Sequence, residues 1–322
     1  MGIKVLDPIR LTERYSIVKI AFVGKGGAGK TTLAALFSRR LAAQGRTVLA
    51  IDADINQNLA AALGEDVDEA ALAPTLGEHL DEIKEYLRGS NPRISSTEAM
   101  VKTTPPGRGS RLLRVVEDNP IYRRCVRSTV NGVRWAATGG FAESDLGVAC
   151  YHSKVGAVEL ILNHLVDGDG EYVVVDMTAG ADAFASGLFT RFDRTFVVCE
   201  PTVRSIGVYR QYLDYAEDFD VAVSVVGNKV ADETDEAFLR EQVGSDLLAS
   251  LGVCRHVRAA EQGRPGPIGE LEPANSAVLD MLRDAVDATG RDWARFTRQA
   301  VQFHLRNAQA WANAKTGEDL AG

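Results

Sequence analysis

The sequence predicts an α/β fold, a mostly parallel sheet with helices on both faces. Three observations predict it. Short β-branched runs alternate with stretches of helical periodicity along the chain. A glycine-rich stretch, GKGGAGKTT, stands between the first such run and the first helical pattern. The composition, 45% hydrophobic and 25% charged over 322 residues, is that of an ordinary globular protein able to bury a substantial core.

IVKIAFV (Ile17–Val23) is a buried-strand pattern that feeds the glycine-rich loop. Lys30 to Gln44 reads as a helix, closed by Gly45 as its C-cap. RTVLAID is the second strand, and EYVVVDM, TFVVCE and VAVSVVGNK are three more, each followed by a helical stretch. The segment from Gly89 to Gly147 breaks this rhythm. Its SNPR, TTPPGRGS and TGGFAESD are turn chemistry, so 89–147 is expected to be an irregular insertion on the ligand side of the sheet. Between Arg88 and Arg134 stand ten Lys/Arg against three Asp/Glu, a local balance of +7, and the stretch just upstream is acidic. The two are expected to neutralise each other across a surface. From Arg291 to Ala314, residues Trp293, Phe296, Ala300, Phe303 and Trp311 recur at helical spacing. A C-terminal helix over 291–314 that packs on its own domain is expected, since its face holds too few large aliphatics for a membrane surface.

No apolar run approaches the roughly 18–20 residues of a spanning helix. The N-terminal MGIKVLDPIRLTERYS lacks an apolar core, so no signal peptide is expected and the expected location is cytoplasmic. Cys125, Cys150, Cys199 and Cys254 show no C-x-x-C spacing, which argues against a disulfide framework or a zinc knuckle. A net charge of −8 gives no global attraction for nucleic acid or anionic membrane, and neither is an expected partner.

GKGGAGKTT satisfies G-x-x-x-x-G-K-[ST] in the strand–loop–helix context that the phosphate-binding motif requires. Gly24, Gly26, Gly27, Ala28 and Gly29 would bind phosphates through backbone N–H groups, together with Lys30, Thr31 and Thr32 at the positive end of the helix. Lys30 would neutralise the β- and γ-phosphates and the Thr31 hydroxyl would ligate magnesium. Lys25 is one lysine more than this task needs.

The pattern K-G-G-x-G-K-T resembles the deviant Walker A box of the MinD/ParA family of P-loop ATPases. In that family the extra lysine reaches the nucleotide of the facing subunit in an ATP-bound homodimer. The resemblance implies the same for Lys25, a cation that arrives on dimerisation and stabilises charge on the transferred phosphoryl group. LAIDADINQNL is similar to the family's first switch, where Asp52 would hold a magnesium-bound water and Asp54 would orient the attacking water. VVVDMTAG is similar to Walker B and the second switch, with Asp176 in the outer magnesium shell and the Gly180 N–H sensing the γ-phosphate. VGNKV resembles the base-recognition segment, through Asn228. It also has an Asn–Lys pair like the guanine-reading N-K-x-D, but Asp232 stands one residue too far, and adenine is favoured. The implied organisation is a single P-loop ATPase domain over 1–322.

Within the family, DADINQNL and GVACYH are nearest in pattern to the nickel-insertion ATPases that mature carbon monoxide dehydrogenase. Ile55 stands where they have proline and His152 where they have a second cysteine. Ala183 stands where nitrogenase iron protein needs a cluster cysteine, so no iron–sulfur bridge of that kind is implied. One Cys150 and one His152 from each subunit would make a Cys₂His₂ set across a two-fold axis, suited to zinc and open to nickel. The plain alternative is a buried small Cys150 and a surface His152. Three functions follow: an ATPase that inserts a metal or cofactor into, or remodels, an unidentified client protein; a spatial organiser of the ParA or MinD type on DNA or membrane; or a regulatory switch that hardly hydrolyses ATP.

Overall fold

The computed structural model describes residues 18–140, 151–166, 168, 170–178, 184 and 187–320, with backbone alone for 151–153. In chain order its strands are β1 (Val18–Gly24), β2 (Thr47–Ala53), β3 (Arg127–Ser128), β4 (Arg134–Ala137), β5 (Glu171–Met177), β6 (Arg194–Cys199), β7 (Val223–Val230) and β8 (Leu247–Gly252). Among the described residues they form one sheet in the order β3-β4-β2-β5-β1-β6-β7-β8. Every neighbouring pair is parallel except β3 with β4.

The helices are α1 (Lys30–Ala43), α2 (Leu59–Leu63), α3 (Val67–Ala71), α4 (Leu80–Arg88), α5 (Pro120–Cys125) and α6 (Tyr151–His164). They continue as α7 (Val203–Ala216), α8 (Glu233–Val243), α9 (Arg255–Glu261), α10 (Pro273–Asp287), α11 (Trp293–Asn307) and α12 (Asn313–Thr316). The central strands are buried on both faces, which is why they read as unbroken apolar runs. Alternation then sorts their side chains. Val18, Ile20 and Phe22 of β1 meet α1 and α10, while Ala21 and Val23 meet the α4, α6 and α7 side. Phe22, Phe37 and Phe196 knit α1 to the sheet, with ring centroids 5.3–6.4 Å apart.

Residues 89–119 hold no helix or strand, as expected of an irregular insertion, but 120–137 are regular. They supply α5, β3 and β4, and β4 extends the sheet beside β2. Leu113 pairs with Leu165, its N–H donating to His164 O and its carbonyl accepting from the Val166 N–H, both at 2.8 Å. Because α6 ends and β5 is about to begin there, this part lies at the amino ends of the strands, opposite the glycine-rich loop. Thr138–Gly140 reaches the ligand end, where the Thr138 N–H donates to Asp52 O at 2.9 Å. Residues 141–147 lie outside the described residues. The basic insertion meets acidic α4 through Arg124 and Glu82, 3.4 Å apart, and through the Arg111 guanidinium over the Tyr86 ring.

In α11, Phe296 and Ala300 are buried, and the Phe303 ring packs on Phe189 and Phe219. Trp293 and Trp311 stay partly exposed. Among the described residues no helix is long and apolar enough to cross a membrane.

At the amino end of the sheet, buried Lys19 donates from Nζ to Leu162 O at 2.7 Å and Leu165 O at 3.0 Å, a cation capping the carboxyl end of α6. Beside it, His164 is wholly buried, with Nδ1 on Leu160 O at 2.8 Å. Burial, with Lys19 nearby, pushes its imidazole down to about 4. The unfolded chain therefore takes up a proton that the folded chain refuses as pH falls from the usual histidine value of about 6.5 toward 4. The stability due to this group is full above that window and lost through it, at about 1.4 kcal/mol per pH unit. Urea melts at pH 7 and pH 5 should show this drop in wild type and a smaller one in His164→Gln.

Candidate functional site

Two glycines shape the loop that leaves β1. Gly24 has φ 144°, and a Cβ there would lie 2.5 Å from Val198 O on β6. Gly29 has φ 98°, and a Cβ there would run into the Asn228 amide. Gly29 is also the N-cap of α1 and carries no side chain to cap it, so the first-turn N–H groups of Lys30, Thr31 and Thr32 stay available to an anion. Ala28 is buried under the loop, whereas Gly26 and Gly27 are exposed at its crest. Lys30 is 6% exposed and has no hydrogen-bond partner among the described residues. A largely buried lysine without a hydrogen-bond partner, beside free helix N–H groups, fits an anionic ligand.

The acids lie directly behind. Parallel register sets Asp52 of β2 opposite Asp176 of β5, one residue before each strand ends. Both are buried. Asp52 accepts from the Asp54 N–H at 3.0 Å and the Leu59 N–H at 2.8 Å, and the Thr31 hydroxyl donates to Asp176 Oδ2 at 2.6 Å. Asp176 Oδ1 has no partner among the described residues. Burial drives the Asp52 carboxyl up to about 7 despite its two amide donors. Burial and the Asp52 charge drive Asp176 well above the usual carboxylate range, with Thr31 and Lys30 pulling the other way. The two facing carboxylates, one with an orphaned oxygen, are offset only in part by Lys30, and a divalent cation would supply the rest. Among the described residues no three His, Cys, Asp or Glu side chains are grouped to hold a metal unaided. Such an ion would take its remaining ligands from phosphate and water, as magnesium does.

Asp54 is 7% exposed and turns the chain after β2, with Oδ1 accepting from the Asn56 N–H at 2.9 Å and from Asn56 Nδ2 at 2.8 Å. Asn228 donates from Nδ2 to Ala28 O at 2.7 Å, which braces the loop from β7. Asp232 is spent as the N-cap of α8, accepting from the Thr234 and Asp235 N–H groups, and is no base reader. Lys25 lies on its own loop, 3.2 Å from Gly26 O and 3.6 Å from Glu200. Sequence reasoning passed over Glu200 and Lys229, which meet the loop here. Their only signal was position, each at the carboxyl end of a parallel strand. Gly180, Cys150 and the His152 side chain lie outside the described residues. Cys125, Cys199 and Cys254 are buried, and burial pushes the Cys199 thiol up to about 12.

A glycine loop feeding a helix N-terminus, with a buried lysine and a hydroxyl before two strand-end carboxylates, defines a P-loop nucleotide-binding protein. Residues 20–265 match the CobQ/CobB/MinD/ParA nucleotide binding domain, and the chain belongs to that family. It is 30% identical over 248 residues to the carbon monoxide dehydrogenase accessory protein CooC of Rhodospirillum rubrum, covering 76% of this chain and 87% of the relative. An uncharacterized ATP-binding protein of Methanocaldococcus jannaschii is 28% identical over 235 residues, 72% of this chain and 83% of its own length. Among solved structures, MinD in the MinC:MinD complex of Aquifex aeolicus superposes with a TM-score of 0.57 at 21% identity, over 85% of this chain and 98% of that one. MinD of Pyrococcus horikoshii with Mg-ADP gives 0.57 at 18%, over 85% and 97%. These two likenesses are of fold.

The carboxylate pair yields a paired expectation. Asp176→Asn keeps an acceptor for Thr31 and replaces one of two facing acids with a neutral amide. It should stabilise the nucleotide-free protein by on the order of 1 kcal/mol and weaken magnesium-dependent nucleotide binding roughly 10- to 100-fold. Thermal melts in EDTA and Mg-ATP titration check the two halves separately.

Proposed function

We propose that the chain is a dimerising switch ATPase that hydrolyses ATP slowly and uses the cycle to mature, or insert a metal or cofactor into, a client protein. The observation that carries the nucleotide part is the meeting of buried, unpaired Lys30 with the Asp52–Asp176 pair under one loop. Loop N–H groups and Lys30 hold the phosphates. Magnesium, held by the Thr31 hydroxyl and through water by Asp52 and Asp176, would offset phosphate charge. Asp54 orients the attacking water, its Oδ1 fixed by Asn56. Gly180 is assigned the γ-phosphate contact. Lys25 acts across the dimer, where it adds positive charge to the transferred group only when two chains have paired.

Adenine follows from the Asn228 amide. One Nδ2 N–H is given to Ala28 O, and Oδ1 is left as an acceptor suited to the N6 amine of adenine. The client half rests on likeness to CooC, whose name makes it an accessory protein to carbon monoxide dehydrogenase. Cys150 and His152 are the residues assigned to any zinc or nickel at the two-fold axis. His152 stands where the resembled nickel-insertion ATPases have a second cysteine, so the metal itself is left to titration of the dimer.

Two substitutions separate binding from turnover. Lys30→Ala removes the charge facing the β/γ-phosphates and should abolish ATP binding by calorimetry. Asp54→Ala should bind ATP with near wild-type affinity and lose single-turnover hydrolysis by roughly 10²-fold or more. Tight ATP binding by Lys30→Ala would refute the assignment.

A further inference from the structure

Glu200 is one carboxylate shared by two lysines. Lys229 Nζ lies 2.7 Å from Glu200 Oε1 and 2.7 Å from Gly27 O. Lys25 Nζ lies 3.6 Å from Glu200 Oε2. The carboxylate sits on a firm mount: Glu200 directly follows β6, and its carbonyl accepts from the Thr202 N–H at 2.7 Å. The Thr202 hydroxyl in turn caps α7. Lys229 is held at φ 59°, a left-handed conformation that costs a non-glycine residue energy and is retained where the surroundings impose it. Lys25, by contrast, rides on a loop with glycine on either side.

We propose that Glu200 is a positioning residue for Lys25, holding its ammonium against its own chain until ATP-driven pairing takes it away. The proposal rests on the reading that Lys25 acts across a dimer. The geometry makes release easy. When Lys25 leaves, the shorter Lys229–Glu200 pair remains, so no carboxylate is stranded without a counter-charge. The Lys25 side chain is 33% exposed, so its hold is that of a surface ion pair, enough to bias the lysine and weak enough to yield. Lys229 repels Lys25 and loosens the hold further. In the unpaired chain Lys25 is thereby kept off the face that would meet a second copy.

Glu200→Gln keeps the side-chain shape and the Lys229–Gly27 bond but removes the charge. Light scattering against protein concentration, with saturating Mg-ATP, should show half-dimerisation at a concentration roughly two- to tenfold below wild type, two latches being lost per dimer. In a Lys25→Ala background the same substitution should change nothing, because its effect passes through Lys25. An equal shift in both backgrounds would mean that Glu200 shapes the loop and not the lysine, and would overturn the proposal. Unchanged or weakened dimerisation of Glu200→Gln would overturn it too, while leaving the cross-dimer role of Lys25 standing. If Lys25→Ala itself turns over ATP as wild type does, that role fails, and the proposal with it.

Discussion

Two carboxylates, Asp52 and Asp176, are forced together in a dry interior by the parallel register of β2 and β5. Neither can ionise cheaply beside the other. The rest of the site answers that constraint with positive charge or hydrogen-bond donors. Thr31 gives a hydroxyl, Leu59 and Asp54 give N–H groups, and Lys30 contributes an unpaired ammonium close by. The compensation stays incomplete in the protein alone, since among the described residues Asp176 Oδ1 has no partner and Lys30 makes no hydrogen bond. Negative and positive groups separated in this way are what a magnesium–phosphate pair joins. The binding site is thus a stability defect of the empty chain that its ligand repairs.

The sheet exists to hold that defect open. β1 and β6 approach so closely at Gly24 that only glycine fits, and this sets where the loop turns. Asn228 and Lys229 tie the loop crest to β7 through Ala28 O and Gly27 O. Lys25 is the one basic residue of the loop itself, and among the described residues its ion-pair partner is Glu200 on its own chain, 3.6 Å away. A loop braced at three strands, with one movable cation at its lip, suits a protein whose chemistry waits for a second subunit.

The loop, the acids Asp52, Asp54 and Asp176 at the ends of β2 and β5 and the five central strands were legible because their signals are local. Glycine spacing encodes positive φ, and a strand buried on both faces must be apolar throughout. β4 escaped because RWAA is four residues long and inherits its strand character from pairing with β2. β8, LLASLG, lacks β-branched residues and is a strand because β7 and α10 flank it. Glu200 and Lys229 escaped for another reason: the Lys229–Gly27 bond joins residues 202 positions apart, a relation that no window of sequence displays. The part of the insertion around Leu113 was misplaced because turn residues announce a break in regular structure but not the end of the sheet to which the chain is carried.

The claim on which the account turns is that Lys25 completes the site of another chain. Mixing two inactive proteins, Lys25→Ala and Asp54→Ala, tests it most directly. In a mixed dimer, the Lys25→Ala chain keeps its Asp54 and receives an intact Lys25 from its partner, so one of the two sites is whole. Random pairing of equal amounts should then restore about a quarter of wild-type single-turnover ATP hydrolysis. If Lys25 served its own chain's nucleotide, every site in the mixture would still lack one group, and the mixture would be as inactive as its two components.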